Sequence, residues 1–376
     1  MQLLYQEKFL INTLGVSMQT MKYYTNPIDY YLLSCICLLT ILGIFVLYSG
    51  TDQNLMTLFK QISKLSIAFA MMYAISHIHY RVIDQMGLIF FVMSILTLLA
   101  VYFFGSSGKG AQRWLDLGII KFQPSEIVKL TLPLALASWL SFRTDTIMNH
   151  FISLMILALP CLLIIIQPDL GTGILIGVTG LLMILIAGFP FYLIITGITL
   201  FVCASPIVWH YVLHDYQKMR IITFLNPGLD SMGGGYHIIQ SKIAIGSGGL
   251  FGKGWLNGTQ SHLSFLPEHA TDFVFGIIGE EFGFIGAFSI ILLIFLITQR
   301  ILNLAMETAD RYQKLVLCGL ATNFFVCSVI NIGMVIGVFP VVGIPLPLIS
   351  YGGTHATILI LSFGVVFAMI RASRSR

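Results

Sequence analysis

The chain has 376 residues, of which 57% are hydrophobic and 10% charged, and its mean hydropathy is +0.90. A soluble protein carries about 25% charged residues, so this chain has too few charges to cover a water-exposed surface, and its apolar blocks are of membrane-spanning length. The net charge of +4 is spread out with no basic cluster, so nucleic acid is not an expected partner and membrane lipids are.

In chain order, residues 1–29 form a tail with no strong apolar stretch followed by a small-residue cleavage site, so no removable signal peptide is expected. Ten spans follow, near 30–48, 65–80, 86–104, 125–142, 151–166, 171–188, 191–213, 273–297, 315–337 and 354–370. The second has the weakest pattern, because His77 and His79 interrupt its end. The expected fold is an all-α polytopic membrane protein, one domain over residues 1–376, with a second tail at 371–376. An even number of spans puts both tails on one side. That side carries ten Lys/Arg against five opposite once the long loop is set aside, which points to cytoplasmic tails. The long loop, about 214–272, then lies outside. All six cysteines sit in apolar stretches without a C-x-x-C, and read as buried small hydrophobes. Residues 337–353, GVFPVVGIPLPLISYGG, hold three prolines and four glycines and cannot form a regular helix. An irregular apolar segment at membrane depth must be buried in protein or line a wet cavity, which makes this one re-entrant or cavity-lining.

Four segments could carry chemistry. In GKGAQRWLDLGIIKFQPSEIVKL (108–130), Pro124 suits a first helical turn and Glu126 its positive end. Lys129 shares a helix face with Glu126. The pair reads either as a structural brace or as charge lining a substrate cavity, with Arg113 and Lys121 adding positive charge for an anionic head group. In QPDLGTG (167–173), Asp169 suits a helix cap. The glycines of 236–273 fail the phosphate-loop and dinucleotide patterns, which leaves a flexible loop whose backbone can approach a substrate. In LPEHATDFVF (266–275), Thr271 or Asp272 suits the cap of the next span, and Asp272 also suits catalysis. A helix N-terminus orients a carboxylate but lowers its basicity. Glu280 lies about 12 Å further along that helix and, with Glu281, reads as polar packing.

Together, GAQRWLDLGIIKFQPSEI, QPDLGTGIL, YHIIQSKIAIGSGGLFGKGW, LPEHATDFVF and NIGMVIGVFPVVGIPLPLISYGG resemble, in order and over nearly the whole chain, the SEDS family (shape, elongation, division and sporulation) of membrane glycosyltransferases. The wording is nearest to the elongation branch. The resemblance implies a peptidoglycan polymerase of the bacterial inner membrane that joins lipid II units to a growing lipid-linked glycan on the outer face. It implies Asp272 as the essential aspartate, with Arg113, Trp114, Glu126, Lys129, Lys242 and Ser350 in substrate binding. Asp169, Gln240, Glu268, Thr271 and Glu280 are expected to support them. Two positions depart from the family pattern: Ala270 precedes Thr271, with His269 displaced, and His355 follows the S-Y-G-G-T run. The implied chemistry is one inverting displacement with Asp272 as general base and undecaprenyl pyrophosphate leaving. Arg113, Lys129 or a divalent metal (magnesium or manganese), recruited with the phosphate oxygens, would hold the pyrophosphate; the sequence has no compact metal cluster. A class B penicillin-binding protein, the cross-linking transpeptidase, is the implied partner. The competing readings are a transporter that flips lipid II and a non-catalytic scaffold.

Overall fold

A computed structural model describes residues 28–108, 111–116, 121–141, 146–213, 215–229, 234–259 and 271–374. Its helices are α1 (Tyr30–Gly50), α2 (Leu55–Ser76), α3 (Tyr80–Phe104), α4 (Pro124–Ser141), α5 (Ile147–Ile166), α6 (Leu170–Ile186), α7 (Phe191–Ile207), α8 (Asp215–Leu225), α9 (Gly234–Gly248), α10 (Val274–Glu307), α11 (Arg311–Val335) and α12 (Gly353–Arg374). Seven of them, α1, α2, α3, α5, α10, α11 and α12, are long and apolar enough to cross a membrane, and α6 and α7 are shorter apolar helices. The chain is a polytopic, all-helical membrane protein.

Each expected span is a helix. Local polar residues set many of the starts: the side chains of Asp29, Asn54, Asp169 and Asp310 each accept an amide from the first turn of α1, α2, α6 and α11. Three expectations need correction. First, α2 begins at Leu55, ten residues before the expected start, because Lys60 and Lys64 turn outward while Gln61, Leu65, Ala68 and Met72 pack inward. Second, the stretch 214–272 is not a plain loop but holds α8 and α9. Ser241 on α9 donates to the carbonyl of Val335 at 2.8 Å, seating that helix on the end of α11. Third, the segment between α3 and α4 forms a small antiparallel sheet, β1 (Ser106–Gly108), β2 (Ala111–Asp116) and β3 (Lys121–Phe122), in the order β1-β2-β3. At the C-terminal end α12 continues to Arg374, so the expected tail is mostly helix. Residues 1–27 of the N-terminal tail lie outside the described residues.

The centre of the fold is α11, which packs against α4, α6, α10 and α12. Both ends of the chain meet on one face: Asp29 takes Arg300 of α10 at 2.6 Å and Arg374 of α12 at 3.0 Å. Asp272 is at the other end of α10, a run of 34 residues that breaks at Gly283 (φ 65°). The starts of α4, α6, α10 and α12 therefore gather on the face opposite the chain ends, and the candidate site is built there.

Candidate functional site

Asp272 sits in the turn 271–273 that leads into α10. The cap position of that helix is Phe273, which makes no side-chain cap bond. The cap position is thus neither Thr271 nor Asp272, the two expected from the sequence. Phe273 is pulled into the core, 3% exposed, with its ring 5.7 Å from that of His237 on α9, and the helix starts after it. Asp272 stays half-buried at the edge.

The turn is held from two sides. The Asn331 side-chain amide on α11 donates to the Asp272 carbonyl at 2.9 Å and to the Ile344 carbonyl at 2.6 Å. Ser350 donates to the Thr271 carbonyl and accepts the Leu346 amide at 2.8 Å. The Pro/Gly-rich segment 336–352 is irregular, as its sequence demands, and Leu346, Leu348, Ile349 and Ser350 are buried in it. Its unmade backbone bonds explain why side chains from α11 and from its own Ser350 take over the work of a ladder. Gly343 has φ +74°, and a β-carbon there would lie 3.4 Å from Asp272 Oδ2, so the loop backbone passes close beside one carboxylate oxygen.

One cation on α9 reaches the loop. Lys242 is exposed, and its side chain lies against Gly337, where a β-carbon would collide with it. Gln240 is half-buried on the same helix. Trp114 lies half-buried on β2, paired in register with Ser106. Arg113 falls on β2 and Lys121 on β3, where the backbone alone is described. Glu268 and His269 lie outside the described residues.

Glu126 and Lys129 form a second centre. Lys129 meets Glu126 Oε1 at 2.7 Å, and His355 Nδ1 meets Glu126 Oε2 at 2.8 Å. Glu126 and Lys129 are each 5% exposed, so the pair turns inward. A buried ion pair holds only when the remaining polar atoms are bonded, and His355 supplies the donor for the second carboxylate oxygen. The far ring nitrogen of His355 lies 4.0 Å from Cys327 Sγ, which in turn lies 3.8 Å from the Pro345 carbonyl. The second centre thus reaches the same loop that packs on Asp272.

Two supporting residues go elsewhere. Asp169 caps α6 through the Thr172 amide at 3.3 Å, and Gly171 next to it leaves room only for Val342 of the loop. Glu280 is fully buried and bonded to Lys253 at 2.7 Å and Thr259 at 3.0 Å, away from the Asp272 turn. The glycines around them serve this internal contact. Gly252 and Gly248 press against the backbone of residues 279–281, and α10 breaks at Gly283 (φ 65°) to take them. The sequence reading missed Asn331, whose signal was a lone amide inside an apolar span, and the His355–Glu126 bond.

The described residues include no group of three His, Cys, Asp or Glu placed to hold a metal ion. What the site offers is one carboxylate on a held turn, the loop backbone at Gly343 close beside it, Lys242 against the same loop, and helix N-termini on one face. That set suits proton abstraction next to an anionic group.

Comparison with known proteins fits this geometry. Residues 29–375 match the family model FTSW_RODA_SPOVE, described as cell cycle protein. The chain is 41% identical over 333 residues to the peptidoglycan glycosyltransferase MrdB of Escherichia coli K12, covering 88% of this chain and 90% of that one. It is 32% identical to the peptidoglycan glycosyltransferase RodA of Treponema pallidum, covering 92% and 98%. Among solved structures, it superposes with a TM-score of 0.80 and 29% identity on a chain of a peptidoglycan synthase complex that coordinates polymerization and crosslinking, covering 91% and 97%. A substituted form of the rod shape determining protein RodA of Thermus thermophilus gives a TM-score of 0.71 at 25% identity, covering 92% and 98%.

Proposed function

The chain belongs to the cell cycle protein family of FtsW, RodA and SpoVE, and from that membership we propose how it works as a peptidoglycan glycosyltransferase with Asp272 as its base. The observation that carries the assignment of the base is the turn itself. Asn331 and Ser350 hold its backbone while one carboxylate oxygen lies beside Gly343 of the loop.

The substrate is lipid II, and the acceptor is the sugar 4-hydroxyl. A donor linked α and a product linked β need one inverting displacement. Asp272 takes the acceptor proton as the new C–O bond forms, because a free alkoxide is too basic to exist beforehand. The bond from the anomeric carbon to the pyrophosphate oxygen breaks, and undecaprenyl pyrophosphate leaves with the electron pair. Its charge needs donors already in place. Lys242 is placed beside the loop to serve, and Arg113 on β2 and Lys129 from beneath are the further candidates. A divalent cation would come with the pyrophosphate and use its oxygens, with one protein carboxylate at most, and would neutralise the same charge.

The membrane is the bacterial inner membrane, with the chain ends cytoplasmic and Asp272 outside, where lipid-linked sugars are presented. A class B penicillin-binding protein is the partner that cross-links the strands. Purified protein in sealed vesicles carrying labelled lipid II separates polymerase from flippase. The expected result is glycan made from lipid II in the outer leaflet, without net movement of lipid between leaflets. Lipid movement without glycan would overturn the reading.

A further inference from the structure

Glu126 is the junction of three elements. Its two oxygens are taken by Lys129 of its own helix and by His355 at the start of α12. His355 is 9% exposed, and Cys327 of α11 lies against its other ring nitrogen. Nδ1–H donates to Glu126, and Nε2 lies against Cys327 Sγ, whose one thiol proton is directed at the Pro345 carbonyl. Cys327 also reaches the Pro345 carbonyl, one residue from Ile344, which Asn331 ties to the Asp272 carbonyl. A chain of contacts thus runs from the buried ion pair to the turn that holds the base. Three helices meet in it, and the irregular loop has no ladder of its own to fix its shape.

We propose that His355 is a positioning residue: by locking Glu126 between α4 and α12 it sets the loop 336–352 against Asp272. The inference rests on the glycosyltransferase reading for its kinetic consequence, and on the geometry alone for its structural one. A group that only fills space would be replaced by any side chain of similar bulk. A positioning group needs the donor, so glutamine should serve and methionine, of similar bulk but without an N–H, should not.

The test uses full-length wild type, His355→Met and His355→Gln in liposomes with the partner transpeptidase. It measures kcat and KM for lipid II, and backbone hydrogen exchange of residues 339–351. His355→Met is expected to lower kcat roughly 10- to 100-fold, as a small misplacement of a catalytic group does, to leave KM within about twofold, and to speed exchange in the loop. His355→Gln is expected to recover most of both. Unchanged kcat and loop exchange in His355→Met, or equal losses in the two variants, would overturn the proposal. Absence of glycan from the wild type would count against the glycosyltransferase reading, and loop exchange would still decide the role of His355.

Discussion

At the scale of single residues, the site is a half-buried carboxylate on a turn whose backbone is held from two sides. Asn331 and Ser350 each bridge the Asp272 turn to the loop 344–350, so either loss frees two contacts at once. A buried amide or hydroxyl bond is worth about 0.5–1.5 kcal/mol, and a stranded buried carbonyl costs about 1–3 kcal/mol. Ser350→Ala should therefore destabilise the protein by about 1–3 kcal/mol and slow polymerisation with little change in KM, measured by thermal unfolding and lipid II kinetics. A change confined to KM would place Ser350 on the substrate instead. Asp272 and Ser350 were legible in the sequence because an acid and a hydroxyl stood in motifs at the edges of apolar runs. The role of Asn331 was not, since an amide in a span shows its partners only once the loop has folded back on it. Glu126 and Lys129 were legible as a pair, but their inward direction was not. It depends on His355, 226 positions beyond Lys129 in the chain.

At the scale of elements, the glycine-rich segment 248–254 and the kinked start of α10 form one unit. Backbone bonds run from Lys253 to Glu280, Gly254 to Glu281 and Phe284 to Gly249, at 2.9–3.0 Å. Lys253 then neutralises the fully buried Glu280. Removing one partner of a buried pair costs about 3–5 kcal/mol, less here because Lys253 is partly exposed. Lys253→Ala should lower stability by about 2–3 kcal/mol, and adding Glu280→Gln should restore part of it; thermal unfolding of the three proteins checks this. No recovery in the double variant would mean that Lys253 acts elsewhere. The sequence suggested that these glycines let backbone approach a substrate. The close approach is real, but the neighbour is α10, a long-range pairing that glycine content alone does not specify. Spans were legible from apolar run length, whereas the start of α2 was hidden by Lys60 and Lys64, which interrupt the apolar run there.

At the scale of the whole molecule, α10 connects the two faces, with Asp272 at its start and Arg300 near its end. On the far face Asp29 joins the first, tenth and twelfth helices through Leu32, Arg300 and Arg374. Burial would raise its carboxyl, but the Arg300 hydrogen bond, the Leu32 amide, the Arg300 charge and Arg374 outweigh it and hold it below the usual aspartate range. A depressed folded value means that its stabilisation is complete above the unfolded value and is lost as pH falls through the folded one. Acid unfolding below about pH 4 should therefore be less steep in Asp29→Asn, which is also less stable at neutral pH; equal acid profiles would contradict this. The overall architecture was legible because a membrane leaves a chain few choices. The convergence of helix starts on one face follows from alternating span direction, and the central claim concerns Asp272, the acid just before α10. The most direct measurement is glycan formation from purified lipid II by the wild type and by folded Asp272→Ala, each with its partner. The account predicts a rate lower by about 10²–10⁴ in the variant. Comparable rates from the two proteins would contradict it.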